Sequence, residues 1–277
     1  MDNKELINSV KELELTASKI RGRLVEMSHH SRSAHLGSAL SCVDILVVLY
    51  FRILNLNEEK FDSLKRDRFI LSKGHAAAAL YTALAFRGII DMDLLDTYCQ
   101  PGSILEDHPG PSTLPGVEAA TGSLGHGLSL GTGMALAGRI QKKGNKIFVL
   151  VSDGECNEGS VWEAAMFASG HKLNQVTVII DFNKWQATGR SCDVLGIEPL
   201  VEKWKSFGFK TFEIDGHNMK EIVETLLEIY AGSDQPCAVI AHTVKGKGIS
   251  FMEDDNNWHY KIPSAKEVEL ALKELDS

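Results

Sequence analysis

Two oxygen-bearing side chains follow two apolar runs, at a spacing that would bring the side chains together. Asp153 comes directly after the apolar run 147–151 and the small residue Ser152, and Asn183 follows the run 178–182. The two residues are 30 positions apart (183 − 153 = 30), which fits one strand–helix–strand crossover. Both side chains would then lie at the carboxyl edge of one parallel sheet. A carboxylate and a carboxamide that meet there form an oxygen site suited to Mg²⁺ holding a phosphate ester.

The elements that must position these residues alternate along the chain. Apolar runs predict strands at 69–71, 147–151, 176–181, 209–214 and 237–242. Helical periodicity predicts helices near 4–30, 44–54, 76–86, 158–170, 198–207, 218–230 and 264–277. Continuous apolar strands separated by helices predict an α/β fold with a mostly parallel sheet covered by helices on both faces. The proline- and glycine-rich stretch 88–123 predicts a long loop, and a loop of that length is usually either functional or wrongly assigned from the sequence pattern.

Composition narrows the class of protein. The chain has 277 residues, 44% of them apolar, which is enough for a sizeable core. With a net charge of −8 and no basic stripe, nucleic acid is not an expected partner. No apolar run approaches the roughly 18–20 residues that span a bilayer, so no membrane association is expected. The five cysteines are dispersed and form no C-x-x-C pair, which indicates a reducing cytoplasm rather than a disulfide scaffold or a zinc site.

Glycines are unusually dense in the predicted helix that begins near residue 127. Gly127 and Gly131 lie one helical turn apart. Each glycine costs a helix about 0.5–1 kcal/mol, so this density requires a reason. Close approach of a cofactor and tight packing of the helix against a strand both explain it, and the sequence leaves both open.

Further segments agree, in order, with motifs of one enzyme family. The seven segments are 34–37 (Ala-His-Leu-Gly), 71–75 (Leu-Ser-Lys-Gly-His), 107–109, 116–125, 215–218, 245–248 and 258–259. Together with Asp153-Gly154 and Asn183, they resemble the thiamine-diphosphate-binding region of transketolases. Ser152 stands where that family usually has its first glycine, and Lys184 and Trp185 replace the usual glycine and aliphatic residue.

The resemblance covers essentially the whole chain but only the first third of a full-length transketolase. It implies that residues 1–277 form a single thiamine-diphosphate-binding domain of the diphosphate-binding (PP) type, equivalent to the family's first domain. It also implies the N-terminal subunit of a split transketolase. The partner would be a second polypeptide carrying the pyrimidine-binding domain, and two copies of each chain would form a heterotetramer.

The resemblance assigns roles to individual residues. Asp153 and Asn183 would bind Mg²⁺, or Ca²⁺ or Mn²⁺, through their side chains, and Trp185 through its backbone carbonyl. The residues implied to bind thiamine diphosphate are His75, Gly122, Ser123, Leu124, Gly154, Glu155, Asn183, Lys245 and His259. The residues implied to act on the substrate are His35, His108 and His259. Glu158 and Glu163 match buried glutamates that link two cofactor sites across an interface between copies of the chain.

The implied reaction moves a two-carbon ketol unit from a ketose phosphate, or a related sugar, to an aldose phosphate. Histidines that titrate near neutrality suit the repeated proton transfers of such a reaction. The sequence leaves open whether the sugars are ordinary pentose phosphates, branched sugars or sulfonated sugars. Two alternatives remain. One is another thiamine-diphosphate enzyme, either like deoxyxylulose-phosphate synthase or a dehydrogenase first component, and the other is a non-catalytic scaffold.

Overall fold

A single parallel sheet organises the protein. The computed structural model describes residues 3–56, 66–110 and 114–276, with side chains from residue 10 onward. Within these ranges, five strands pair in the order β1-β2-β3-β5-β4, and every pairing is parallel. The strands are β1 (Arg68–Leu71), β2 (Ile147–Ser152), β3 (Val176–Phe182), β4 (Lys210–Asp215) and β5 (Cys237–His242). All five predicted strands are therefore confirmed.

Helices connect the strands and precede the sheet. They are α1 (Asn3–Ser31), α2 (Leu36–Ser41), α3 (Val43–Val48), α4 (Ala77–Phe86), α5 (Gly127–Ile140), α6 (Gly159–Gly170), α7 (Ser191–Val194), α8 (Leu200–Ser206), α9 (Met219–Ala231) and α10 (Ala265–Leu275). The helix predicted over 44–54 is α3 followed by a π-helical turn at Leu49–Ile53. The short helices α2 and α7 are not predicted by the sequence pattern. In α10, the Ser264 hydroxyl and the Glu267 carboxylate form a capping box at the first turn.

Helices cover both faces of the sheet, as predicted. In β2, the fully buried Phe148 and Leu150 belong to a hydrophobic core that also contains residues of α1–α4 and α9. The alternate residues Val149 and Val151 belong to a second core, with α5, α6 and α8. Because successive strand residues point to opposite faces, the two cores lie on opposite sides of the sheet.

Close packing explains two glycines of α5, Gly127 and Gly131. A Cβ atom on Gly131 would lie 2.6 Å from the Cγ2 of Val149 in β2, and one on Gly127 would lie 2.4 Å from the Cβ of Ser72. No side chain fits at these distances, so glycine lets the helix approach the sheet. Of the two explanations open to the sequence, the structure supports helix–strand packing.

The carboxyl edge of the sheet gathers the residues singled out in the sequence. Lys73 follows β1, Asp153 follows β2, Asn183 follows β3 and Lys245 follows β5. Beyond this edge, the stretch 88–123 contains the 3₁₀ helix Met92–Thr97 and otherwise consists of turns and loop where it is described. None of the helices in the described ranges combines the length and hydrophobicity needed to span a bilayer. The five cysteines are all unpaired.

Candidate active site

A cavity of about 360 Å³ opens at the carboxyl edge of the sheet. It is lined by His35, Ser38, His75, His108, Gly122, Leu124, Ser152, Gly154, Asn157, Glu158, Asn183, Trp185, Gln186, Ala187, Thr188 and His259. Most of the predicted site residues are therefore brought together around one space. Asp153, Glu155 and Lys245 are fully buried and do not line it, and Ser123 is exposed outside it.

Four histidines surround this cavity. The ring centroid of His35 lies 5.6 Å from that of His75, 5.7 Å from that of His108 and 5.1 Å from that of His259. The rings of His75 and His259 are 5.6 Å apart. Burial, reinforced by the charge of Lys73, lowers the pKa of His75 well below its usual value. The cluster therefore presents imidazoles in different electrostatic settings to one small space.

Asp107 lies between two of these histidines. Its Oδ2 is 3.5 Å from the Nδ1 of His35 and 3.6 Å from the Nδ1 of His108. These distances exceed those of a normal hydrogen bond, so the contacts are mainly electrostatic. The neighbouring His35 imidazole holds the pKa of the Asp107 carboxyl below its usual value. The backbone N–H of His35 donates to the His259 carbonyl at 2.8 Å, which fixes these two loops against each other.

The Asp153 carboxylate is buried at the edge of the sheet, and no basic side chain among the described residues is bonded to it. Its Oδ1 accepts from the Gly154 N–H at 3.0 Å, and its Oδ2 accepts from the Ser191 hydroxyl at 2.7 Å. Burial raises the pKa of this carboxyl to about 7. A buried carboxylate destabilised in this way would be stabilised by a bound cation.

Asn183 and Trp185 complete the oxygen donors at this edge. The Asn183 Nδ2 lies 3.4 Å from the Ser41 hydroxyl and 3.4 Å from the Asp181 Oδ2, and its Oδ1 accepts from the Trp185 N–H at 3.0 Å. Among the described residues, no three His, Cys, Asp or Glu side chains form a metal-binding group. A metal ion held here would draw its remaining ligands from amide and carbonyl oxygens, phosphate and water. That donor set fits Mg²⁺, which is usually held by one or two carboxylates together with phosphate oxygens.

A buried ion pair underlies this edge and is not predicted by the sequence pattern. The Lys73 Nζ donates to the Asp181 carboxylate and, at 2.8 Å, to the Ser38 carbonyl, and both charged side chains are fully buried. The Ser41 and Thr243 hydroxyls also donate to Asp181. The ionised Asp181 carboxylate can only accept hydrogen bonds. It therefore favours the orientation in which the Asn183 amide nitrogen points toward Asp181 and the amide oxygen points away from it. A lysine after β1 and an aspartate inside an otherwise apolar strand are the only signals of this pair in the sequence.

Lys245 and His259 form a second buried pair. The Lys245 Nζ donates to the Asn256 Oδ1 at 2.7 Å and lies 3.0 Å from the His259 Nδ1. Burial and the nearby charge of Lys73 lower the pKa of Lys245 to about 8. Burial and the charge of Lys245 lower the pKa of His259 to about 3. Around neutrality, the site therefore holds a cationic amine beside a neutral imidazole.

The side chain of Glu155 is bonded within the protein. Its buried carboxylate accepts from the Ser152 N–H at 2.8 Å, from the Gly125 N–H at 2.9 Å and from the Ser72 hydroxyl. It thereby ties the ends of β1 and β2 to the start of α5. The Glu155 N–H itself lies 3.3 Å from the Ser152 hydroxyl, so a diphosphate contact of this N–H would have to replace that bond.

The segment 122–124 borders the cavity on another side. Gly122 has a φ of +150°, and a Cβ atom there would lie 3.1 Å from the Cδ2 of His108. Glycine is therefore required for the backbone to pass this histidine. Leu124 is partly exposed and lines the cavity, whereas the Ser123 carbonyl accepts from the His126 ring at 3.2 Å.

Glu158 and Glu163 are exposed in the single chain. Large apolar side chains are exposed on α5 and α6, which pack against each other: Leu130 by 40%, Met166 by 63% and Phe167 by 40%. An exposed apolar surface of this kind commonly marks an interface between proteins.

Comparison with known proteins gives a consistent result. Residues 13–276 match the family profile described as "Transketolase, thiamine diphosphate binding domain". One apulose-4-phosphate transketolase subunit, from Phocaeicola vulgatus, is 42% identical over 266 residues, which are 96% of this chain and 94% of that protein. The 6-deoxy-6-sulfo-D-fructose transketolase subunit SqwG of a Clostridium species is 39% identical over 265 residues, 96% of each chain.

Solved structures agree with this fold over most of the chain. Transketolase from Leishmania mexicana superposes with a TM-score of 0.89 at 25% identity, covering 95% of this chain and 41% of that one. Transketolase from Campylobacter jejuni gives a TM-score of 0.81 at 29% identity, covering 95% of this chain and 46% of that one. The chain therefore spans less than half the length of these solved transketolases.

Proposed function

The chain belongs to the transketolase family as its thiamine-diphosphate-binding domain, and on that basis we propose that it is the N-terminal subunit of a split transketolase. The assembled enzyme would transfer a two-carbon ketol unit from a ketose phosphate, or a related sugar, to an aldose phosphate. The observation that carries this proposal is the cavity lined by four histidines and Asn183, with Asp153 buried next to the lining residues Ser152 and Gly154. Neither a scaffold nor a structural domain needs that combination.

The proposed partner is a second polypeptide that carries the pyrimidine-binding domain. Support comes from relatives that match over nearly their full length and are named as subunits. Two copies of this chain would associate through the surface that contains Glu158 and Glu163, which gives a heterotetramer with two copies of the partner. Residues 1–277 would form one domain. The five unpaired cysteines favour a location in the cytoplasm.

The same edge of the sheet would hold the cofactor. Asp153, Asn183 and the Trp185 carbonyl would hold Mg²⁺. His75, Gly154, Glu155, Lys245 and His259 would surround the diphosphate, and Gly122, Ser123 and Leu124 would contact the aminopyrimidine. When bound, thiamine diphosphate supplies the nucleophilic carbon and stabilises the carbanion. The protein supplies positive charge that compensates the diphosphate. Part of it is the Lys245 ammonium, which lies 3.0 Å from the Nδ1 of His259.

The histidines would orient the sugar and move its protons. His35 and His108 both face the Asp107 carboxylate, which favours a proton on the Nδ1 of each ring. Their Nε2 atoms would then accept hydrogen bonds or protons from sugar hydroxyls. His259 would donate from its Nε2–H, because its Nδ1 accepts from Lys245. The site can thus donate and accept hydrogen bonds along one polyol.

Two other functions are less well supported. Another thiamine-diphosphate enzyme would use the same metal edge, but the relatives with the highest identities described above are named transketolase subunits. A non-catalytic scaffold would have no need of Asp153, a buried carboxylate with a raised pKa to which no basic side chain in the described part of the chain is bonded.

Co-expression with the partner tests the proposal and the choice of sugar. The two relatives described above are named for apulose 4-phosphate and for 6-deoxy-6-sulfo-D-fructose. The purified complex should therefore be assayed with xylulose 5-phosphate, apulose 4-phosphate and 6-deoxy-6-sulfofructose as donors. Thiamine-dependent ketol transfer from any of them supports the proposal. A complex that binds the cofactor but transfers no ketol unit from this panel would contradict it.

A further inference from the structure

The loop that follows Asn183 is held in a defined turn. Trp185 and Arg190 pair as an isolated antiparallel bridge. Inside that bridge, the Gln186 N–H donates to the Gly189 carbonyl at 2.8 Å. The backbone at Trp185, whose carbonyl is the proposed metal ligand, is therefore part of a closed turn.

Side-chain contacts among three residues stabilise this turn. The Arg190 guanidinium carbon lies 3.8 Å from the centroid of the Trp185 ring. Arg190 also donates to both carboxylate oxygens of Asp254, at 2.7 and 2.6 Å. The Trp185 Nε1–H donates to the same Asp254 at 2.8 Å. We call this closed set of Trp185, Arg190 and Asp254 the Trp–Arg–Asp clamp.

The clamp joins this loop to the segment that carries Lys245. The Asp254 N–H donates to the Lys245 carbonyl at 2.8 Å. Next to it, the Asn256 Nδ2 donates to the Ala187 carbonyl at 3.1 Å, and the Asn256 Oδ1 accepts from the Lys245 Nζ at 2.7 Å. Ion-pair, stacking and hydrogen-bond contacts thus connect the segment that carries Lys245 to the loop that carries Trp185.

Arg190 and Asp254 make more contacts than an ordinary surface ion pair does. Arg190 and Asp254 have side-chain exposures of 34% and 54%, and single exposed ion pairs contribute little to stability. Here the contact is bidentate, and the guanidinium is also stacked on an indole, which limits its motion. Loss of the clamp should therefore affect the order of this loop more than the stability of the domain.

We propose that Arg190 and Asp254 are positioning residues that hold Trp185 in its binding conformation before the cofactor arrives. This proposal rests on the proposed function, because the Trp185 carbonyl is a ligand only if the chain binds a metal diphosphate. Without the clamp, only a fraction of molecules would hold the loop correctly. The apparent dissociation constant rises by the inverse of that fraction, while the chemistry of the loaded enzyme is unchanged.

The test uses Asp254→Asn and Arg190→Lys, with Glu228→Gln as the matched control. Arg190→Lys keeps the charge but loses the bidentate contact and the stack. Glu228 forms an exposed ion pair with Lys210, away from the site. The first readout is the rate of trypsin cleavage after Lys184 in the chain without cofactor. The second is the dissociation constant of thiamine diphosphate with Mg²⁺ in the assembled enzyme, and the third is kcat at saturating cofactor.

Both clamp variants should be cleaved faster after Lys184 and should bind the cofactor more weakly, by about tenfold if the ordered fraction falls to about a tenth. Their kcat at saturating cofactor and their melting temperature should match those of the Glu228→Gln control. Trp185→Leu, which keeps the backbone carbonyl but loses the stack on Arg190 and the hydrogen bond to Asp254, should also be cleaved faster after Lys184 and bind the cofactor more weakly.

Two results would overturn the clamp and leave the proposed function standing. The first is that the wild-type enzyme binds the cofactor, and both clamp variants show the same trypsin cleavage after Lys184 and the same cofactor affinity as the wild type. The other is a fall in kcat with unchanged affinity. If the assembled wild-type enzyme binds no thiamine diphosphate, both proposals are wrong.

Discussion

The Nζ of Lys245 lies 3.0 Å from the Nδ1 of His259, so the lysine donates and the imidazole accepts. This contact leaves the proton of a neutral imidazole on Nε2. Because the pKa of His259 is lowered to about 3, the ring stays neutral across the physiological range. His259 is therefore suited to donate a hydrogen bond, while Lys245 supplies the positive charge.

The charge of Lys245 predicts a pH dependence of cofactor affinity. Burial and Lys73 lower the pKa of Lys245 to about 8, so the free enzyme loses this charge as the pH rises through 8. Above about pH 7, where the Asp153 carboxylate is ionised, affinity for thiamine diphosphate should fall as the pH rises through 8. The Lys245→Arg variant, whose guanidinium stays charged, should lose less affinity over the same range. Calorimetric titrations at several pH values check this, and an equal fall in both proteins would contradict it.

Substitution at the metal edge should weaken cofactor binding. Asp153→Ala removes the anionic oxygen at this edge, and we expect it to abolish measurable Mg²⁺-dependent binding of thiamine diphosphate. Asn183→Ala removes a neutral oxygen and should have a smaller effect in the same direction. Titration of the assembled enzyme measures both, and unchanged affinity in Asp153→Ala would refute the metal assignment.

His35→Ala and His108→Ala should separate catalysis from cofactor binding. Both rings line the cavity and lie beside the Asp107 carboxylate. Affinity for thiamine diphosphate should stay close to that of the wild type. Turnover should fall by about 10²–10⁴-fold if the rings transfer protons, and by less if they only contact hydroxyls. Loss of cofactor affinity with normal turnover at saturation would place these histidines in the cofactor shell instead.

Lys73→Met should destabilise the fold. It leaves the Asp181 carboxylate buried without its counter-charge, and breaking such a pair typically costs about 3–5 kcal/mol of unfolding free energy. Lys205→Met, which breaks an exposed ion pair with Glu202, is the matched control and should cost less than about 1 kcal/mol. Urea denaturation measures both, and equal losses would show that the buried pair does not stabilise the protein.

The sequence predicts the elements of this fold more readily than its side-chain contacts. The strands around Val149 and Ile179 are continuous apolar runs, which are typical of a parallel sheet covered on both faces. The placement of Asp153 and Asn183 at one edge of the sheet follows because neighbouring parallel strands end at the same edge. Helix α2 is harder to predict, since it is short and its N-cap residue, His35, has a φ of +68°.

Contacts between distant residues require the structure. Lys73 and Asp181 are 108 positions apart, and Arg190 and Asp254 are 64 positions apart. A lone charged residue in a sequence is most often exposed, so no local pattern distinguishes these four. Resemblance to a family indicated which loops carry the site, but Lys184 and Trp185 depart from its common pattern. The clamp around Trp185 therefore becomes visible only when the loops are placed in space.

The dependence of activity on a second polypeptide tests the central claim most directly. The purified chain, the purified partner and an equimolar mixture should each be assayed for ketol transfer with saturating thiamine diphosphate and Mg²⁺. We expect activity only in the mixture, together with a complex of two copies of each chain by light scattering. Thiamine-dependent ketol transfer by this chain alone, or a complex that binds the cofactor but remains inactive on every sugar of the panel, would contradict the account.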